Sequence, residues 1–238
     1  FILKFFFKFF KNNLVDKPNK RSLHLNPTPR GGGIAFILPL IIFNIFSGII
    51  YSWNSLAIIS ICSIPTIFIS FLDDKINVPG KYRYFFQFLS ASLVLKFVSP
   101  QINFTGNLIL YIIAIIFVTA IINFTNFMDG SDGLVAICMV IFFIFLSINL
   151  NNTLNNFVLI GSLISFLYWN WYPSKIFMGD VGSVFLGIYF SGNLLQLNSF
   201  SEIIGFFLIL TPIYGDALYT LVRRFLRGHN IFKAHRLH

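Results

Sequence analysis

Long apolar runs alternate with short polar breaks along nearly the whole chain: Ile34–Tyr51, Ser55–Leu72, Tyr84–Val98, Leu108–Phe124, Leu134–Leu150, Phe157–Tyr172, Val181–Leu197 and Ile203–Val222. A helix needs about 20 apolar residues to cross the hydrocarbon core of a bilayer, and each run is near that length, some on the short side. The pattern therefore predicts eight membrane helices. Phe1 to Val15 is apolar with Lys4, Lys8 and Lys11 at helical spacing, and is read either as the end of a ninth span or as an interfacial helix. Between it and the first full run lies a polar stretch, Asp16 to Gly33, where Pro18, Pro27 and Pro29 exclude a regular helix.

One polar break stands apart. In Asn123-Phe124-Thr125-Asn126-Phe127-Met128-Asp129-Gly130-Ser131-Asp132-Gly133-Leu134, the residues Asn123, Asn126, Asp129 and Asp132 recur at every third position. On a helix each such step drifts by only about 60°, so the four are predicted to share one side. Gly130 and Gly133 loosen that helix and let a ligand approach the backbone. Carboxylates beside a membrane are costly unless paired, hydrated or used.

Composition turns this pattern into a class. The chain of 238 residues is 56% hydrophobic and 11% charged, against about 25% charged in soluble domains, so it is read as an integral membrane protein. The net charge of +9 is assigned to the positive-inside rule rather than to nucleic acid. Lys and Arg fall in the loops around 16–33, 73–83, 173–182 and 223–238, which with the loop at 125–133 form one alternating set; the loops around 52–54, 99–107, 151–156 and 198–202 carry none. The first set is expected to be cytoplasmic, and all the acidic residues except Glu202 fall on that face or close to it. Cys62 and Cys138 lie inside apolar runs and carry no information about redox compartment. The chain starts on Phe1 and stops within a basic stretch at His238, so it is expected to be cut at both ends. The fold expected is all-α: a polytopic transmembrane helix bundle over residues 1–238, a single membrane domain of eight or nine helices with its active-site loops in the cytoplasm.

Three further pieces carry chemistry. Asp73-Asp74-Lys75 closes a span with adjacent carboxylates, at the helix end where the macrodipole repels anions. Such a pair suits a proton acceptor or a metal platform. Asp180, between Gly179 and Val181-Gly182, enters another span and reads equally as a helix cap or as a ligand. With Asp73, Asp74, Asp129 and Asp132 on the same face, an oxygen-rich Mg²⁺ site is the better account. The tail from Gly228 to His238 holds His229, His235 and His238 among cations, a set suited to phosphate and sugar. In the Pro-Thr-Pro-Arg-Gly-Gly-Gly loop, Arg30 and the glycine amides are candidates for holding a phosphate, although the spacing is not that of a P-loop and the loop reads equally as a plain basic inside loop. Asp216 is kept as structural.

In combination, Asp-Asp-Lys, Asn-x-x-Asn-x-x-Asp-Gly-x-Asp-Gly-Leu, Phe-Met-Gly-Asp-Val-Gly-Ser and His-x-x-x-x-x-His-Arg-x-His resemble the polyprenyl-phosphate N-acetylhexosamine-1-phosphate transferases. That superfamily, glycosyltransferase family 4, includes the phospho-N-acetylmuramoyl-pentapeptide transferases and the N-acetylglucosamine-1-phosphate transferases. The resemblance implies transfer of a sugar 1-phosphate from a UDP-N-acetylhexosamine to undecaprenyl phosphate, with release of UMP. It implies catalytic roles for Asp73 and Asp74 at the lipid phosphate and a Mg²⁺ ligand at Asp180, with Mn²⁺ as the alternative ion. Asn126, Asp129, Asp132 and Asn170 match positions associated with the nucleotide, and His235 and His238 match positions associated with phosphates or sugar. Arg30, Lys75 and Arg236 complete the candidate substrate-binding set. The implied location is the bacterial inner membrane, with the site facing the cytoplasm and a homodimer left open. The Lys-Ala-His-Arg-Leu-His tail looks closer to the enzymes that start surface polysaccharides, because it lacks the His-His-His element of the muramoyl-pentapeptide branch. A polytopic transporter is the alternative, but it would place its carboxylates at the bilayer midplane between repeated halves, and no internal repeat is visible.

Overall fold

Helix α8 (Asp180–Leu194) is the axis of the bundle, and every residue from Val181 to Leu194 is buried. Around it pack α1 (Ile34–Ile50), α2 (Ser55–Cys62), α3 (Ile64–Ile76), α4 (Gly80–Val98) and α5 (Leu108–Met128). Helices α6 (Leu134–Asn149) and α7 (Thr153–Asn170) pack on one another, and α7 closes against α1. Helices α9 (Phe200–Ile209) and α10 (Thr211–Leu226) cover α6, and α10 also reaches α5. A two-residue antiparallel ladder, β1 (Val15–Asp16) with β2 (Thr28–Pro29), lies ahead of α1. The computed structural model describes residues 7, 9–10, 14–16, 18, 26–50, 55–98, 107–149, 153–197 and 199–228.

Small residues let the central helix approach its neighbours. A Cβ on Gly187 would fall 2.8 Å from the Ile122 Cα, and one on Gly192 would fall 2.8 Å from the Ile59 side chain. Lipid offers apolar side chains no reason to leave it, so close backbone approach of this kind is what holds membrane helices together. Aromatic rings fill the wider gaps, as where Phe142 meets Phe190 edge-on at 4.6 Å. Amides tie α1, α2 and α7: Asn44 donates to Ser60 Oγ at 2.6 Å and accepts from Asn155 Nδ2 at 2.6 Å.

Among the described residues, two stretches reach a full membrane crossing by length and hydropathy: Ser55–Ile76, which joins α2 and α3, and Leu108–Met128. The apolar helices Ile34–Ile50 and Leu134–Asn149 are shorter. The protein is a helical membrane protein. The predicted span Ile203–Val222 is not one straight helix. It breaks at Leu210 into α9 and α10, which bend 85° apart. Pro212 sits in the first turn of α10, where its missing N–H costs nothing but where an uninterrupted helix would need a donor.

Candidate active site

The chemistry gathers where the C-terminal ends of α3, α5 and α7 meet the N-terminal ends of α1, α4 and α8. Helix α3 stops at Asn77, which takes a left-handed conformation (φ 51°) and returns its amide to the Asp73 carbonyl. Asparagine tolerates that conformation better than most residues. The stop places Asp73 and Asp74 in the last turn of α3, both buried.

Asp74 reaches across to α8. Its carboxylate accepts the backbone amides of Asp180 at 3.2 Å and Val181 at 3.3 Å. The residue at the cap position, Gly179, has no side chain to do this. Asp74 therefore caps α8 from another helix, satisfying orphan amides at the positive end of the helix dipole. Arg30 stands against the same carboxylate, with Nε 3.7 Å from Oδ1, and also donates to the Asp74 carbonyl. Gly179 is obligatory here: its φ is +77°, and a Cβ would lie 2.7 Å from Asp74 Oδ2 and 2.8 Å from the Gly31 amide nitrogen.

With that cap supplied, Asp180 is the first residue of α8 rather than its cap. Its carboxylate lies 3.5 Å from Arg83 Nη1. The same nitrogen is 2.8 Å from Asp73 Oδ2, while Asp73 Oδ1 accepts the Val78 amide at 2.6 Å. Arg83, in the first turn of α4, thus bridges two carboxylates from different helices. Sequence reasoning counted it only among the cations of a polar loop. The one signal available was its place ten residues after the Asp pair, at a helix start where a cation gains nothing from the dipole.

The Asn/Asp repeat is split by the end of α5. Asn123 and Asn126 lie on the helix, but α5 ends at Met128, and Asp129 and Asp132 follow in the turn that leads to α6. One continuous helical face through Asp132 is therefore not formed. Gly133, at φ +72°, turns the chain where a helix would have run on. Asn123 donates to Gln87 Oε1 at 2.8 Å and ties α5 to α4. Asn126 accepts from Ser183 Oγ at 2.6 Å. Asp132 Oδ2 accepts the Ser174 amide at 3.1 Å. Asn170 is buried with both ends of its carboxamide engaged: Oδ1 accepts the Gly133 amide at 3.0 Å and Nδ2 donates to the Ile176 carbonyl at 2.9 Å. Asp132 and Asn170 together lash the loop after α5 to the loop before α8.

The glycine loop is also spent on structure. Gly32 and Gly33 donate their amides to the carbonyls of Phe177 and Met178, at 3.0 and 2.9 Å, and Phe177 returns its amide to Pro29. The amides of Gly32 and Gly33, expected as phosphate donors, are thus taken by carbonyls of the loop before α8. Lys75 is exposed on the last turn of α3. His235, Arg236 and His238 lie outside the described residues.

Burial, and then the negative charges of Asp180, Asp74 and Asp132, hold the Asp129 carboxyl well above the usual carboxylate range. Acids from α3, α8 and the turn after α5 therefore act on one small volume. Among the described residues no three His, Cys, Asp or Glu side chains close around one point as a metal cage. Mg²⁺ does not need one, since it is typically held by one or two carboxylates together with phosphate and water oxygens. An all-oxygen donor set in which Asp129 stands among like charges fits that mode.

The glycosyl transferase family 4 model matches residues 56–198, from α2 through the end of α8. In Bacillus subtilis the chain is similar to a protein named "Probable undecaprenyl-phosphate N-acetylglucosaminyl 1-phosphate transferase", 29% identical over 93% of this chain and 67% of that protein. It is 30% identical to the phospho-N-acetylmuramoyl-pentapeptide-transferase of Fervidobacterium nodosum, over 89% of this chain and 72% of the relative. The corresponding transferase of Clostridioides difficile is 32% identical over 76% of this chain and 64% of its own length. The chain spans about two thirds of the length of these relatives.

Proposed function

We propose that this chain, which belongs to glycosyl transferase family 4, forms the catalytic part of an enzyme that moves a sugar 1-phosphate from a UDP-N-acetylhexosamine to a polyprenyl phosphate and releases UMP. The observation that carries the reading is the convergence of Asp73, Asp74, Asp129 and Asp180 with Arg30 and Arg83 at one end of the bundle. A transporter would need its acids at the midplane; these stand at helix ends.

In the proposed reaction a lipid phosphate oxygen attacks the β-phosphorus of the UDP-sugar. A new P–O–P bond forms, and the bond from that phosphorus to the bridging oxygen breaks, its electron pair leaving with UMP. Such transfers depend on positioning and charge neutralisation more than on covalent chemistry by the protein. Asp73, the less buried side chain of the pair, accepts the proton if the lipid phosphate arrives protonated. Arg30 and Arg83 hold the carboxylates in place and balance charge near the departing phosphate. Asp180, with Asp129 beside it, would hold Mg²⁺, which when bound supplies charge to the pyrophosphate oxygens. Asn126 and the Asp129–Gly133 turn face the nucleotide, and Lys75, His235, Arg236 and His238 complete the anion contacts. In this reading the site faces the cytoplasm of a bacterial inner membrane, and the product starts a surface polysaccharide or cell-wall chain.

The deciding experiment measures UMP release by the full-length protein from a panel of UDP-N-acetylhexosamines, with added undecaprenyl phosphate and with or without Mg²⁺. UMP formed only when lipid phosphate and metal are both present supports the reading. No UMP from any donor overturns it.

A further inference from the structure

Ser183 sits in the first turn of α8, fully buried, and Asn126 sits in the last turn of α5 at the edge of the acid cluster. The serine hydroxyl lies 2.6 Å from Asn126 Oδ1; the carbonyls of Gly179 and Asp180 are more distant alternatives at 3.3 and 3.5 Å. A hydroxyl has one proton to give, and the short contact takes it. The bond has two consequences. It fixes the plane of the Asn126 carboxamide, and it turns the oxygen toward Ser183, leaving the amide nitrogen on the side away from that hydroxyl. Among the described residues Asn126 Nδ2 meets no acceptor.

We infer that Ser183 is a positioning residue that turns Asn126 into a pure hydrogen-bond donor, aimed at an acceptor oxygen of the UDP-sugar. The inference rests on the transferase reading and adds to it the polarity of one contact and the residue that sets it. A side chain free to flip offers the ligand a carbonyl half of the time. Clamped by Ser183, it presents its N–H on the side away from that hydroxyl, which suits a uracil carbonyl, a ribose oxygen or a phosphate oxygen and rejects a donor group at that place. The hydroxyl comes from the helix that carries Asp180, so the clamp also registers the nucleotide contact against the proposed metal ligand.

The test uses the full-length protein and a UDP-N-acetylhexosamine that the wild type turns over, measuring kcat, KM, donor affinity by titration and thermal stability. Ser183→Ala is expected to raise KM about ten-fold, as for the loss of one well-oriented hydrogen bond, with kcat changed less than about three-fold. Ser183→Thr, which keeps the hydroxyl, is expected to recover most of the affinity. In an Asn126→Ala background, Ser183→Ala is expected to add nothing, because its effect passes through that carboxamide. Asn126→Asp keeps the shape and the bond from Ser183 but presents an oxygen in place of the N–H. It is expected to lose at least as much affinity as Asn126→Ala.

An undiminished effect of Ser183→Ala in the Asn126→Ala background would overturn the inference alone, making Ser183 a helix-end residue with a general role. Unchanged donor affinity in Asn126→Asp would overturn it too, and that variant decides the matter even if Ser183→Ala does not fold. A wild-type protein that neither binds nor turns over any UDP-N-acetylhexosamine removes the transferase reading and the inference with it.

Discussion

Gly33 and Gly182 meet backbone to backbone: a Cβ on Gly33 would fall 2.3 Å from the Gly182 Cα, and one on Gly182 would fall 2.8 Å from the Gly33 Cα. The start of α1 is thereby pressed against the first turn of α8, the turn that carries Asp180. Gly182→Ala would also drive its methyl to 2.3 Å from Met178 Cγ. It is expected to destabilise the protein by roughly 1–3 kcal/mol, the range for overpacking a tight contact. Gly161→Ala is the control, since a Cβ there, in the middle of α7, meets nothing within 4 Å among the described residues, and it is expected to stabilise by about 0.5–1 kcal/mol. Thermal unfolding in one detergent checks both; equal effects would show that the close contact has no energetic weight.

The acid cluster is a stored cost. Because folding raises the Asp129 pKa above the usual carboxylate range, the cost is absent at low pH, where the group is protonated in both folded and unfolded chains. It grows as pH rises from the unfolded value toward the raised folded value. Asp129→Asn removes the charge and is expected to stabilise the metal-free protein at neutral pH by on the order of 1 kcal/mol, with no gain at acidic pH. The same variant is expected to weaken donor binding. A melting temperature that falls on this substitution at neutral pH would contradict the electrostatic account.

Arg83 stands at the junction of Asp73 and Asp180. Arg83→Gln leaves two carboxylates of neighbouring helices without their shared cation, so it is expected to lower turnover at least about ten-fold. Arg83→Lys keeps the charge, but its chain to Nζ is one atom shorter than the path to the Nη1 that serves both carboxylates, and it is expected to fall between. Steady-state rates at saturating donor and lipid check the order; full activity in Arg83→Gln would return the residue to the plain positive-inside role first assigned to it.

Much of the bundle was legible because its signal is local. Apolar runs of spanning length mark α1 and α4 to α8 to within a few residues and take α2 and α3 as a single run, Ser55–Leu72, and the scarcity of acids points to Asp73, Asp74, Asp129, Asp132 and Asp180. What stayed hidden depends on contacts across the bundle. No window of sequence tells that the cap of α8 comes from Asp74, more than a hundred residues earlier, or that Asn170 spends both ends of its amide on two loops. The glycine loop looked able to hold an anion because unpaired amides were assumed, whereas carbonyls at Phe177 and Met178 take two of them. The break at Leu210 was written in Pro212, but an apolar run on both sides concealed it.

The two acids that differ most in surroundings, Asp74 and Asp132, yield the sharpest separation. Asp74 has both carboxylate oxygens on α8 amides and Arg30 beside it. Asn in its place keeps one acceptor and loses the charge at the helix start. Asp74→Asn is therefore expected to cost stability on the order of 1–2 kcal/mol, as for a lost cap. Turnover should fall with it through the displaced Asp180, while donor affinity changes little. Among the described residues Asp132 bonds through Oδ2, to the Ser174 amide. Asn in its place preserves that bond through its own oxygen, so stability should stay within about 0.5 kcal/mol, as for a change away from any buried network. If its other oxygen receives a ribose hydroxyl or a uracil N–H, the lost charge-assisted bond is expected to cost about 1.5–3 kcal/mol in donor binding. Melting temperature, donor affinity by titration and kcat for the two variants of the full-length protein form one measurement. Should Asp74→Asn lose donor affinity at unchanged stability while Asp132→Asn keeps it, the nucleotide lies against α3 rather than the turn after α5, and the proposed division of the site is reversed.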